Sequence, residues 1–191
     1  MRGGTRWRAV SYLGLSLVTS ELAVVGHAHA EALPRAADGV RLEGRAGAAV
    51  RRAVKGAQRS LLEPACRALM DEFTNASGQP LQSGLDALEL TASQFVGFVV
   101  FVDGSGRKRC RNREVFAGLA NPGSRVVEVC GDFFTWMESR YPHLAEAVVI
   151  HEALHSLGLG ENPPSSTYIT KRILLACSNR RDAASPPTPV P

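Results

Sequence analysis

The residues best suited to chemistry in this chain are His151-Glu152-Ala153-Leu154-His155. Four residues make about 1.1 turns of an α-helix, so both imidazoles leave one helix face about one turn apart. Two imidazole nitrogens so placed can share one Zn²⁺ at about 2.0–2.1 Å. Glu152 is rotated from His151 by about 100° around the helix, which sets it beside the metal without ligating it. A carboxylate there can take a proton from a zinc-activated water and pass it to a leaving amine. The bland reading is a histidine pair that only packs or meets solvent. His143 precedes the pair by about 12 Å along a straight helix, too far to share the metal, and reads as a surface histidine.

The pattern that must carry these residues is the best helix in the chain, predicted over His143–Leu157. Leu144, Ala147, Val148, His151, Leu154, His155 and Gly158 lie along one broad face of it. Gly158 and Gly160 end the helix. Upstream, Pro64–Phe73 has helical apolar spacing, with Pro64 suited to a first turn. Residues 84–90 read as a short helix, and Thr91 with Gln94 has capping-box spacing. Phe98–Val102 and Arg125–Cys130 read as strands, separated by the Asp103-Gly104-Ser105-Gly106 turn and a loop to Asn121-Pro122-Gly123. Phe133–Tyr141 is a predicted helix stopped by Pro142. Ser166 or Thr167 opens a last helix through Ile169, Ile173, Leu174 and Cys177.

The ends of the chain read differently. Arg2, Arg6 and Arg8 precede an apolar stretch, and Ala28-His29-Ala30 is the small-x-small pattern of signal-peptide cleavage. The alternative is a membrane anchor, against which Glu21 and the Ala-x-Ala ending both argue. The predicted organisation is a signal peptide over 1–30, a leader or linker over 31–60, a catalytic domain over 61–177 and a Pro-rich disordered tail over 178–191. The core is expected to begin near Leu61, with some helix near Ala48–Ala57. A composition of 45% hydrophobic and 21% charged residues argues against wholesale disorder.

Of the formal net charge of +4, the three arginines and one glutamate of residues 1–30 carry +2, which leaves +2 for the exported part. That balance, without a basic stripe interleaved with aromatics, gives no sign of nucleic acid as a partner. Arg107-Lys108-Arg109, with Arg111 and Arg113, is a short basic cluster. A solvated loop accounts for it, and a specific anion site is the sharper alternative. All four cysteines follow residue 30, and none forms a C-x-x-C pair. In an exported chain an even number implies disulfides, here with three possible connectivities. Cys110 and Cys130 end segments that can face each other, and Cys66 and Cys177 sit on the first and last core helices. The predicted pairs are therefore Cys110–Cys130 and Cys66–Cys177.

The longer segment His151-Glu152-Ala153-Leu154-His155-Ser156-Leu157-Gly158-Leu159-Gly160-Glu161 resembles the extended zinc signature of the metzincin metallopeptidases, HExxHxxGxxH. It is also similar, through Ser166, to segments of uncharacterised exported bacterial proteins. The resemblance implies that Gly158 turns the chain off the helix and that Glu161, in the third-ligand position, completes a metal set with His151 and His155. Glu161 replaces the histidine or aspartate usual there, and remains a competent zinc ligand. No methionine follows the signature; the three in the chain are Met1, Met70 and Met137. No glutamate follows Glu161 either, so the other large HExxH plan, with a downstream glutamate ligand, is excluded for downstream carboxylates other than Asp182 in the tail.

The resemblance implies an α+β fold, in which a small mixed or antiparallel sheet packs on the zinc-site helix of a single zincin-like domain. It offers Arg125–Cys130 as an edge strand along the cleft that pairs with extended substrate. An internal strand without that role is the equal alternative. The expected activity is hydrolysis of peptide bonds by an exported zinc metallopeptidase, secreted or periplasmic, with Glu152 as general base, a peptide or protein as substrate, and no stable membrane insertion after signal cleavage. A cell-wall peptide amidase and a non-catalytic zinc-binding structural domain are the alternatives.

Overall fold

The structure, a computed structural model, describes residues 39–111 and 118–177. The expected signal peptide, the start of the leader and the Pro-rich tail lie outside the described residues. In chain order the elements are α1 (Gly44–Ser60), α2 (Pro64–Arg67), α3 (Leu69–Glu72), α4 (Leu81–Ala87), α5 (Ala92–Phe98), β1 (Val100–Asp103), α6 (Lys108–Arg111), β2 (Gly118–Ala120), β3 (Val126–Val129), α7 (Gly131–Arg140), α8 (Pro142–Ser156) and α9 (Ser166–Cys177).

The helix predicted over His143–Leu157 is α8. It begins with Pro142 in its first turn, where a missing N–H costs nothing. From Val149 to Ser156 every residue is buried, as expected of a helix enclosed on all sides. Its neighbours are α1, α5, α7, α9 and β2. Val50, Phe101, Phe134, Leu154, Ile169 and Ile173 belong to the one core that surrounds it.

The class is α+β, with a mixed sheet in the order β1-β3-β2. β1 runs parallel to β3, and β2 antiparallel to it. The far side of β1 is closed by main-chain bonds of 2.8 Å between Phe101 and residues 39 and 41. β3 is therefore interior, which selects the internal-strand alternative for Arg125–Cys130 over the edge-strand one, and among the described residues the strand with no strand partner on its outer side is β2. The sequence places that segment in a loop. Only three residues long, β2 is too short to show strand periodicity.

The reading of 31–60 as a leader outside the core also differs from the structure. The core begins at Val40 and Leu42, and α1 packs between α5, α7 and α8. Its buried face is built from Gly47, Ala49, Val50, Ala53, Val54, Gly56 and Ala57. Side chains this small give little hydrophobic signal in a sequence, yet they let two helices approach closely. Arg52 on its flank forms a two-pronged pair with Glu138 of α7, at 2.8 and 2.6 Å. The helix predicted over Pro64–Phe73 is divided at Ala68 into α2 and α3, where the Asp71 N–H reaches back three residues to the Ala68 carbonyl. Thr91 and Gln94 form the expected reciprocal cap on α5.

Both predicted disulfides are present. Cys66–Cys177 joins α2 to α9 across a sequence separation of 111, and Cys110–Cys130 joins α6 to the end of β3. Closing a loop as long as the first removes unfolded-chain entropy worth up to about 5 kcal/mol. A paired Arg172 and Glu72, with both contacts at 2.6 Å, holds α9 against α3 as well. No helix among the described residues is long and apolar enough to cross a membrane.

Candidate metal centre

α8 ends in a way that returns the chain to its own histidines. Gly158 adopts φ +103°, a conformation that side-chain-bearing residues resist. The Gly158 N–H bonds the His155 carbonyl at 2.8 Å and the Leu159 N–H bonds that of Leu154 at 3.1 Å, the two bonds of a Schellman motif. The chain leaves the helix there, and an isolated antiparallel bridge ties Leu159 to Asn75. Glu161 follows, with its carboxylate beside both imidazoles.

The three side chains converge. His151 Nε2 and His155 Nε2 are 3.0 Å apart, and Glu161 Oε1 lies 3.4 Å from the first and 3.3 Å from the second. Bonds of about 2.0–2.1 Å to a tetrahedral zinc put ligand atoms about 3.3–3.4 Å from one another. The spacing and the donor set therefore fit that ion. The far sides of the rings fit it too. His155 Nδ1 lies 2.7 Å from the Leu159 carbonyl oxygen, which only accepts, so Nδ1 carries a proton and Nε2 is the nitrogen left to present a lone pair in the neutral ring. Thr170 Oγ1 of α9 stands 3.0 Å from His151 Nδ1 and can accept its proton in the same way. Burial and the neighbouring His155 push the His151 pKa down, with Glu161 opposing, so the ring is kept neutral.

Glu152 occupies the next position around α8 and faces β2. Gly118 lies so close that a Cβ there would stand 3.1 Å from Glu152 Cγ. The Ala120 backbone N–H bonds the carboxylate, while Oε2 is buried with no partner among the described residues. Burial pushes the Glu152 pKa up to about 8; the Ala120 N–H opposes this and the charge of Glu161 adds to it. An orphaned carboxylate oxygen is costly in a stable core and is expected where a proton or an ion is to be handled.

The direction of the β2 main chain follows from β3. The Arg125 and Val129 carbonyls bond Val100 and Gly104, so alternate residues of β3 point toward β1. Glu128 therefore points toward β2 and is the hydrogen-bonded partner of Leu119. Gly118 and Ala120 then turn their main-chain groups outward, to the side where Glu152 lies.

The structure thus gathers His151, His155 and Glu161, and sets Glu152 beside them without joining it to the donor cluster. His143 is exposed near the start of α8 and takes no part. Among the described residues no methionine follows the cluster; Met70 and Met137 are buried in α3 and α7. Sequence reasoning missed Thr170, Gly118 and Ala120. Thr170 carried a signal, because it shares a face of α9 with Ile173 and the disulfide-bonded Cys177 and so had to point inward. Gly118 and Ala120 carried none. Comparison with family models, with curated proteins and with solved structures returned no match.

Proposed function

We propose that this chain is an exported zinc-dependent metallopeptidase. The observation that carries the reading is the cluster of His151, His155 and Glu161, three potential ligand atoms facing one another at 3.0–3.4 Å, beside a buried carboxylate with one oxygen unpartnered among the described residues. One cation at the centre can take a lone pair from each of the three at once. Bound there, zinc would supply a Lewis acid that polarises a carbonyl and acidifies water, and its charge would draw the Glu152 pKa down from its raised value.

The protein's own groups then have distinct tasks. Glu152 takes the proton from the attacking water through its free oxygen and returns it to the departing amine. Ala120 holds the other part of the carboxylate in place. The outward main-chain groups of Gly118 and the Ala120 carbonyl offer hydrogen bonds to an extended peptide laid antiparallel along β2, which brings its backbone past Glu152. Two disulfides fasten the fold at both ends of the domain, which makes a metal unnecessary as a staple and favours chemistry over a purely structural role. The disulfides also fit an exported location.

The test is Glu152→Gln in the exported chain, assayed on a mixed peptide library and on cell-wall peptides. The expected outcome is a folded protein that keeps its zinc and loses hydrolysis by at least about a hundredfold. Cleavage confined to cell-wall peptides would favour the amidase. A wild type that binds zinc and cleaves neither substrate set would leave the structural zinc domain as the better reading.

A further inference from the structure

The cluster Arg107-Lys108-Arg109 has a definite place in the fold. It lines a concavity of about 400 Å³ on the outer face of the sheet, together with Leu119 of β2 and Val126 and Glu128 of β3. The register accounts for that lining. Leu119 is paired with Glu128, so its side chain shares the face of Glu128 and Val126, opposite the buried Val127 and Val129.

The charges in this concavity do not cancel. Arg107 donates from Nε to both oxygens of Glu128, at 3.0 and 2.9 Å, and from Nη2 to Oε1, so these two neutralise each other. Lys108 and Arg109 are exposed and make no ion pair among the described residues. They are held at the rim covalently, because the next residue, Cys110, is bonded to Cys130 at the end of β3. Among the described residues no other acidic side chain lines the concavity.

A peptide paired with the outer side of β2 alternates its side chains between the α8 face and this outer face. Every second residue is thereby presented toward Lys108 and Arg109. We propose that this concavity selects substrates with acidic side chains at those alternate positions, through Lys108 and Arg109. The proposal rests on the peptidase reading and names its substrate class.

The test uses two fluorescein-labelled peptides of equal length, one alternating Glu with Val and one alternating Lys with Val. Binding is followed by anisotropy and cleavage by chromatography. The expected result is a preference for the acidic peptide of at least about tenfold in Kd and in kcat/KM at low salt, the combined effect of two exposed charges. The preference should collapse at about 0.5 M salt, where the screening length falls well below that at physiological ionic strength. The K108E/R109E variant should invert it. The K55E/R59E variant, with the same charge change on the exposed side of α1, should keep it. Equal handling of both peptides by the wild type, or loss of the preference in K55E/R59E to the same extent, overturns the proposal. The salt series on the wild type decides the matter even if K108E/R109E does not fold. Binding of the acidic peptide without any cleavage sinks the peptidase reading and leaves the charge-selective groove standing. Cleavage without charge preference does the reverse.

Discussion

His155 Nδ1 lies 2.7 Å from the carbonyl oxygen of Leu159, the residue that follows the glycine exit from α8. One local turn therefore does two things. It carries Glu161 back to the histidines, and it fixes the tautomer of His155 so that Nε2 faces the same point. Oriented imidazoles of this kind hold metal more tightly than free ones.

The convergence of three donors predicts one zinc per chain by elemental analysis. His151→Ala and His155→Ala should each abolish stoichiometric zinc. Glu161→Ala should weaken binding, and His143→Ala should not change it. A Glu161→Ala protein that held zinc as tightly as wild type in a chelator competition would remove Glu161 from the ligand set.

Thr170 reaches His151 from α9, so its hydroxyl should matter to the metal without touching it. Thr170→Val keeps the shape and removes the acceptor. It should lower zinc affinity by about 10–100-fold, the usual effect of losing such a partner, while Thr170→Ser restores most of it. Equal affinity in Thr170→Val and wild type would make the 3.0 Å contact incidental.

Gly118 is predicted to be a spacing residue for Glu152. In Gly118→Ala the new methyl meets Glu152 Cγ at 3.1 Å, so either the carboxylate or β2 must shift by a few tenths of an ångström. Zinc content should stay near one per chain, and hydrolysis should fall by about tenfold or more, as a misplaced general base implies. Full activity in this variant would show that β2 gives way without cost.

The Arg52–Glu138 pair predicts an acid-dependent term in stability. The hydrogen bonds and charge of Arg52 hold the Glu138 carboxyl below its ordinary value, against desolvation. A carboxyl with a lowered folded pKa adds stability above its unfolded pKa and loses it as pH falls through the folded one. Arg52→Gln should therefore lower the unfolding free energy near pH 7 by about 1 kcal/mol or less, since the arginine is largely exposed. The gap from wild type should close on acidification below about pH 4. Denaturant unfolding at several pH values measures it, and a gap that stayed constant with pH would refute the assignment.

The candidate metal cluster was legible in the sequence because its spacing is local. The spacing of His151 and His155 is set by helix periodicity alone, while Gly158 and Glu161 were found through the resemblance to the metzincin signature. The pairing of the four cysteines was legible for a related reason: of three possible connectivities, one joined segments that the predicted elements allowed to face each other. What faces Glu152, what holds His151 and what surrounds α8 were decided by tertiary structure. Gly118 and Ala120 lie more than thirty residues before Glu152 in the chain and meet it only because β2 pairs with the outer side of β3. Thr170 meets His151 only because a disulfide and the Arg172–Glu72 pair fasten α9. Some helix was legible near Ala48–Ala57, but the burial of α1 in the core was missed because hydropathy counts apolar atoms residue by residue, and its buried face of glycine, alanine and valine has few to count. Packing depends instead on how closely two backbones can approach, and that is known only once α8 is in place.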